Sequence, residues 1–246
     1  MKRHRLFNTE IIDSAFFAQR SPDHFAKFHG WNEEVDCYLL AMEYLEPGSL
    51  ASHLDHPEHP EDKWTERDIN SVTKQILEGL DITHESRMAH GDLKPQVVSK
   101  KPRIIVKVAD FGISKRLSDR GTTLLQTYAG THAYKAPEVI QRWRQENHSK
   151  KNSRASYTEK VDIWSLGCII FKIATRRDLY PQGCPISLDG QAEEHLEESL
   201  RNMNLGAAAI KFMRNLLQFE ASRRPSAGDA LTHPWMTGSG AGIHNA

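Results

Sequence analysis

The sequence is poor in cysteine and contains no long apolar run, and each shortage excludes a class of protein. Only three cysteines occur, Cys37, Cys168 and Cys184, and their odd number and wide spacing argue against a disulfide framework or a zinc site. A reducing compartment suits such a chain. No apolar stretch approaches the roughly 20 residues that a membrane-spanning helix needs, and Asn8 and Glu10 interrupt any apolar core of a signal peptide. We therefore expect a soluble protein of the cytoplasm or nucleus.

An excess of charge of either sign is also absent. The 32 lysines and arginines balance the 32 aspartates and glutamates, which gives no reason to expect a nucleic-acid or membrane-surface partner. The hydrophobic content of 39% is enough to bury a core, and 246 residues suffice for one large domain or two small ones.

Hydrophobic periodicity and turn signals divide the chain into a small mixed front and a large helical back. Thr65 followed by Asp68 is close to a capping box and predicts the start of a helix. The stretch at 158–175 is apolar on almost every face, which is typical of a helix at the centre of a core. We predict helices near 9–20, 66–80, 158–175, 205–219 and 226–232, and strands near 25–31, 37–44 and 104–112. This order predicts an α+β fold.

Four short motifs follow one another along the chain. They are HGDLKP at 90–95, DFG at 110–112, GTHAYKAPE at 130–138 and DIWSLG at 162–167. Each motif alone is weak, but their order and spacing together are specific. From about Phe25 to Met236 the sequence resembles the catalytic half of a eukaryotic protein kinase. Lys94 and Thr131 are similar to residues of the serine/threonine branch of that family.

The resemblance implies a fold and a division of the chain. We expect a protein-kinase-like α+β fold with a mostly helical C-lobe and an incomplete N-lobe of a short helix and two strands. Residues 1–45 would be the remnant of the N-lobe, residues 46–236 the C-lobe, and residues 237–246 a disordered tail.

The same resemblance implies catalytic roles for three residues. Asp92 would accept a hydrogen bond from the substrate hydroxyl and orient it, and Lys94 would neutralise charge on the transferred phosphate. Thr131 would form a hydrogen bond to the Asp92 and Lys94 pair. The protein substrate would be phosphorylated on a serine or threonine hydroxyl.

The implied cofactors are ATP and Mg²⁺. Asp110 would hold the metal, because a hard cation prefers carboxylate oxygen. Met42, Glu43 and Leu45 resemble the hinge of the family, where backbone groups of Glu43 and Leu45 would bind adenine. An ordinary strand end is the competing interpretation of these three residues.

Other matches imply structural roles. Glu138 and Arg224 resemble a buried ion pair at the end of the activation segment. Asp162 would support the backbone of the catalytic loop from below, whereas His90 and Phe111 would pack in the core.

Several positions depart from the family pattern. Val97 stands where the family has an asparagine that binds a second metal ion, and an isopropyl group cannot ligate a metal. Ser99 replaces an apolar residue under adenine, and Gly91 replaces an arginine that pairs with an activation-loop phosphate. The 24 residues before Phe25 contain no Gly-rich phosphate loop and no Val-Ala-Ile-Lys strand. Glu10 is a candidate for the helix glutamate that pairs with that lysine.

These departures leave two functions open, an active serine/threonine kinase and a pseudokinase that acts as a binding or scaffold module. A third interpretation, an unrelated helical binding domain, would require all four ordered motif matches to be accidental. Without neighbouring strands, the strand at 37–44 would have an open edge, so we expect marginal stability, a truncated protein or a partner there. The basic stretch 142–154 is a solvated loop or a docking site, and the histidine-rich stretch 53–63 is a solvated loop or a metal site.

Overall fold

A computed structural model describes residues 2–34, 37–44, 64–93, 95–99, 104–111, 114–116, 132–141, 158–181 and 190–238 of the chain. The helices of this part are α1 (Lys2–Arg20), α2 (Glu66–Glu85), α3 (Lys160–Thr175), α4 (Gln191–Arg201), α5 (Ala207–Leu216), α6 (Ala227–Leu231) and α7 (Pro234–Thr237). The strands are β1 (Phe28–Glu33), β2 (Tyr38–Met42), β3 (Met88–Ala89), β4 (Pro95–Ser99), β5 (Ile105–Val108) and β6 (Lys115–Arg116). They form three antiparallel pairs, β1 with β2, β3 with β6 and β4 with β5.

The front of the molecule is one helix and one hairpin. Helix α1 begins at Lys2 and has 19 residues, so the prediction of a short helix over 9–20 is wrong in length. The predicted strand at 25–31 lies at 28–33 instead, because Phe25 forms a bridge to Val108 of β5 rather than pairing with β2. Backbone hydrogen bonds from Ala26 N to Val108 O and from Val108 N to His24 O fasten this segment to the back of the molecule.

Helix α2 begins as its sequence predicts. The Thr65 hydroxyl accepts from Asp68 N, and the Asp68 carboxylate accepts from Thr65 N, which completes a capping box. The capping box therefore gives hydrogen-bond acceptors to two backbone N–H groups at the start of the helix, where the first N–H groups have no partner within the helix. The buried face of α2 then recurs at helical spacing, at Ile69, Val72, Thr73, Ile76, Leu77, Gly79, Leu80 and Thr83.

Helix α3 is the centre of the core. Every residue from Val161 to Ile173 is buried, which confirms the prediction made from its uninterrupted apolar sequence. Gly167 permits a close approach to the end of α5, since a Cβ at this position would lie only 2.6 Å from Leu217 Cγ. Helices α5 and α6 confirm the predictions over 205–219 and 226–232 with shorter ends.

Several elements were not predicted from the sequence. They include the strands β3, β4 and β6, the helices α4 and α7, and a helical turn at 137–141. Ala192, Leu196 and Leu200 form the buried stripe of α4, and their spacing of four residues was the available signal. In the part of the chain that the structure describes, no helix is long and apolar enough to cross a membrane.

The main hydrophobic cluster runs through both the front and the back of the molecule. It includes Phe17 of α1 and Phe25 together with residues of α2, α3 and the helices that follow. Residues on both sides of the predicted boundary at 45/46 thus share one core, and the boundary itself stays a prediction. The basic stretch 142–154, the histidine-rich stretch 53–63 and most of the predicted tail lie outside the described residues.

Candidate active site

A fully buried carboxylate holds the backbone just before Asp92. Asp162 on α3 accepts hydrogen bonds from His90 N at 2.8 Å, from Gly91 N at 2.8 Å and from His84 Nε2 at 2.9 Å. Burial alone would raise the pKa of Asp162, but the hydrogen bond from His84 and the other donors lower the pKa below its ordinary value. Asp162 therefore stays ionised and fixes the turn that presents Asp92, as the sequence predicts.

Gly91 adopts a left-handed backbone conformation in that turn, with φ of 79°. Glycine reaches this region without the steric cost that a Cβ adds. Gly91 departs from the family pattern, which has an arginine at this position, but glycine suits the left-handed backbone conformation found here. Asp92 follows and is partly exposed, while the next residue, Leu93, is buried and anchors the loop from the other side.

A buried hydrogen bond connects this loop to Asp110. His90 Nε2 donates to Ala109 O at 3.1 Å, so the residue two before Asp92 contacts the residue directly before Asp110. Beside this bond, the centroid of the Phe111 ring lies 5.1 Å from that of the His90 ring. The Phe111 ring also stacks on the ring of Phe17 in α1, with 5.0 Å between the two centroids. His90 and Phe111 are buried, which confirms their predicted packing role and links α1 to the site.

Asp110 lies at the exposed end of β5 in a conformation that side chains rarely adopt. Its φ is 70°, and strained backbone of this kind persists only where the surroundings impose it. Half-burial raises the pKa of Glu10 on α1, and the negative charge of Asp110 raises the pKa of Glu10 further. Glu10 therefore lies within the electrostatic reach of Asp110.

The predicted hinge follows β2. Met42 ends the strand with 37% of its surface exposed, and the Glu43 carboxylate contacts Lys107 Nζ of β5 at 2.7 Å. Burial alone would raise the pKa of Glu43, but the hydrogen bonds from Lys107 and from Lys27 N lower it on balance. Because Glu43 N donates to Lys27 O, the backbone group of Glu43 that adenine could use is its carbonyl oxygen.

The ion pair predicted between Glu138 and Arg224 is present. Arg224 Nη1 and Nη2 donate to the two Glu138 carboxylate oxygens at 2.7 and 2.8 Å, a bidentate arrangement. The Arg224 guanidinium also lies 5.1 Å from the Trp164 ring centroid of α3. This pair ties the helical turn at 137–141 to the centre of the core.

The structure places four of the predicted site residues and leaves three outside its described part. Asp92 and Asp110 are brought to one side of the core by the His90 bond, and Met42 and Glu43 end the hairpin above β5. Lys94, Thr131 and Leu45 lie outside the described residues.

Two residues of the site were missed by the sequence analysis. Lys107 is the one charged residue of the apolar strand β5, and this was the signal available in the sequence. In the structure, Lys107 is buried against Glu43. His84 carried no signal, because its partner Asp162 lies 78 positions further along the chain.

Asp110 could supply one carboxylate ligand to a hard divalent cation. Carboxylate oxygen is the ligand that Mg²⁺ prefers, and a cation beside Asp110 would offset the repulsion that raises the pKa of Glu10. Among the described residues, no group of three or more histidines, cysteines or carboxylates is arranged to hold a metal by itself. A metal here would depend on oxygens of a bound nucleotide, as Mg²⁺ commonly does.

Comparison with known proteins agrees with this geometry. The chain is 30% identical over 223 residues to the serine/threonine-protein kinase RAD53 of Saccharomyces cerevisiae. The matched region covers 85% of this chain and 26% of RAD53. It is 31% identical over 206 residues to the serine/threonine-protein kinase cds1 of Schizosaccharomyces pombe, with 82% of this chain and 42% of cds1 covered. The chain thus spans less than half the length of these relatives.

The family comparison covers most of the chain. The sequence model of the protein kinase domain matches residues 11–236, which include both the hairpin and the helical back. The match confirms the kinase-like α+β fold expected from the four motifs, with the correction that α1 is a long helix. The chain belongs to the protein kinase family.

Proposed function

We propose that this chain is a serine/threonine protein kinase that transfers the γ-phosphate of ATP to a serine or threonine hydroxyl of a protein. The observation that carries the proposal is the buried hydrogen bond from His90 Nε2 to Ala109 O, which holds the Asp92 loop against the strand end that carries Asp110. The printed names of the two relatives, both serine/threonine-protein kinases, support the same substrate class.

The proposed roles follow from the chemistry of phosphoryl transfer, which depends on alignment and charge neutralisation. The substrate hydroxyl oxygen bonds to the γ-phosphorus, the bond from that phosphorus to the β,γ-bridging oxygen breaks, and Asp92 accepts the hydroxyl proton. Lys94 and Thr131 would position the transferred phosphate and the Asp92 side chain. Mg²⁺ held by Asp110 would neutralise charge on the phosphates.

The second candidate is a pseudokinase that binds partners without transferring phosphate. The sequence favours it at one point, because Val97 offers no metal ligand where the family has an asparagine. This candidate keeps the structural contacts of Asp162, Phe111 and Arg224 and gives up the metal chemistry of Asp110.

Nucleotide binding is the first test. The melting temperature would be measured with and without ATP, in Mg²⁺ and in Mn²⁺, for the chain and for Asp110→Asn. Nucleotide at 100 times its Kd stabilises the native state by about 2.7 kcal/mol, or roughly 5–11 °C in a domain of this size. We expect a metal-dependent shift that Asp110→Asn removes, and no shift from a cooperatively melting protein would favour the pseudokinase.

Phosphate transfer is the second test. Purified chain, Asp92→Asn and Val97→Asn would be compared for transfer of radiolabelled γ-phosphate to a generic protein substrate. We expect transfer that Asp92→Asn removes without a change in melting temperature and that Val97→Asn increases, because asparagine adds an oxygen ligand for a metal. Transfer equal in the chain and in Asp92→Asn would reject the kinase proposal.

A further inference from the structure

One buried lysine connects the candidate hinge to the strand that leads to Asp110. Lys107 of β5 is 7% exposed, and its Nζ donates to Glu43 Oε2 at 2.7 Å. The same carboxylate oxygen accepts from Lys27 N at 3.0 Å, and Glu43 N donates to Lys27 O at 2.8 Å. The side chain and the backbone amide of Glu43 are therefore both held, which leaves one backbone torsion, ψ, to set the direction of its carbonyl oxygen.

Strand β5 gives Lys107 a fixed base. Before it, Val106 N donates to Gln75 Oε1 of α2 at 2.9 Å. After it, Val108 N donates to His24 O at 2.8 Å. A lysine side chain at the surface has several free torsions, but burial and a backbone held on both sides restrict this one. The contact from Lys107 to Glu43, called the tether below, therefore joins two fixed points.

The tether is a pair of opposite charges with little water around the lysine. Burial alone would raise the pKa of Glu43, but the hydrogen bonds from Lys107 and Lys27 N lower the pKa on balance. The carboxylate is thus charged at neutral pH and faces the ammonium group. Removal of one member leaves the other charge unpaired, whereas replacement of both members by apolar residues is often nearly neutral for stability. The effect of the tether on position can therefore be separated from its effect on stability.

We propose that Lys107 is a positioning residue of the nucleotide site, which holds the carbonyl oxygen of Glu43 where it accepts a hydrogen bond from the 6-amino group of adenine. The inference rests on the proposed function, because it concerns how that function selects its nucleotide. A purine with an oxygen at position 6 would set acceptor against acceptor at this carbonyl, and a polar site rejects an analogue that leaves its group unpaired. Lys107 would act through Glu43 and not on the purine itself.

The test compares ATP with ITP, which carries an oxygen in place of the 6-amino group. Isothermal titration calorimetry in Mg²⁺ would measure both affinities for the full chain, for Lys107→Met, for Glu43→Met and for the double variant. The double variant lacks the tether but leaves no unpaired charge, so it keeps the inference testable if a single variant folds poorly. Gly167→Ala is the control for lost stability, because its added Cβ meets Leu217 in the core.

We expect the full chain to bind ATP at least about tenfold more tightly than ITP. Lys107→Met and Glu43→Met should each weaken ATP binding by roughly tenfold and leave ITP binding unchanged, so that the preference disappears. The double variant should lose no more than either single variant, because all three remove the same tether. Gly167→Ala should keep the preference although it melts at a lower temperature.

A second readout needs no nucleotide. Exchange of the Glu43 backbone amide hydrogen should be about tenfold faster in Lys107→Met than in the full chain, because its bond to Lys27 O is no longer supported by the side chain. An ATP preference that survives in the double variant would overturn the inference and leave the proposed function standing. Failure of the full chain to bind ATP at all would instead overturn the proposed function, and the inference with it.

Discussion

Removal of the Arg224 side chain tests whether the helical turn at 137–141 is fixed by a buried charge. The side chain is 0% exposed and donates to both oxygens of Glu138, to Gln218 O, to Lys160 O and to Phe219 O. Arg224→Met would remove every one of these donors and leave the carbonyl oxygens in an apolar surrounding. Each buried acceptor without a donor costs about 1–3 kcal/mol.

The expected loss follows from the geometry. Breaking a buried pair by removing one partner costs about 3–5 kcal/mol, and we place Arg224→Met at about 4 kcal/mol because the carbonyl oxygens lose their donors too. Glu138→Gln should cost less, about 2 kcal/mol, because Glu138 is 26% exposed and an amide oxygen still accepts one bond. In a domain of this size the first loss lowers the melting temperature by roughly 8–16 °C.

Urea unfolding followed by circular dichroism would measure both losses, with Arg224→Lys as the matched control. Lysine keeps the charge but lacks the planar fork, so we expect an intermediate loss. The reasoning would be refuted if Arg224→Met cost under about 1 kcal/mol, or if Arg224→Lys matched the unchanged chain.

Three further changes have calculable outcomes. Gly91→Ala should cost about 1 kcal/mol in urea unfolding, because φ is 79° there, and equal or higher stability would contradict the assigned strain. Gly167→Ala should cost about 1–3 kcal/mol, since its Cβ would lie 2.6 Å from Leu217 Cγ, and this cost should be smaller when it is measured in a Leu217→Ala background. Asp162→Asn should cost about 3 kcal/mol near neutral pH. The lowered pKa means that the advantage of Asp162 is present above its ordinary value of 3.8 and is lost as the pH falls through the folded value, so a pH-independent difference in melting temperature would contradict it.

The back of the fold could be predicted from the sequence because its signals are local. Thr65 and Asp68 lie three residues apart and form the capping box that they predict. Helix α3 is apolar on every face, and an all-apolar helix has no stable place except a core. The motif residues Asp162 and Arg224 likewise make the contacts expected of them.

The front was harder to predict because its positions depend on distant partners. Phe25 reads as the start of a strand that pairs with β2, yet it pairs with Val108, which lies far along the chain. The first turns of α1 carry a basic, polar sequence, and propensity alone gave no reason to extend the helix back to Lys2. His84 could be assigned only once the fold brought it to Asp162.

The contacts of β5 explain how the hairpin is held above the site. Lys107 is buried on this strand and binds Glu43 just after β2, and Val108 binds the segment that leads into β1. Three residues after Lys107 the same chain reaches Asp110, so one short strand positions both the candidate hinge and the candidate metal ligand. The contact between Glu43 and Lys107 therefore fixes the candidate hinge relative to the strand that leads to Asp110.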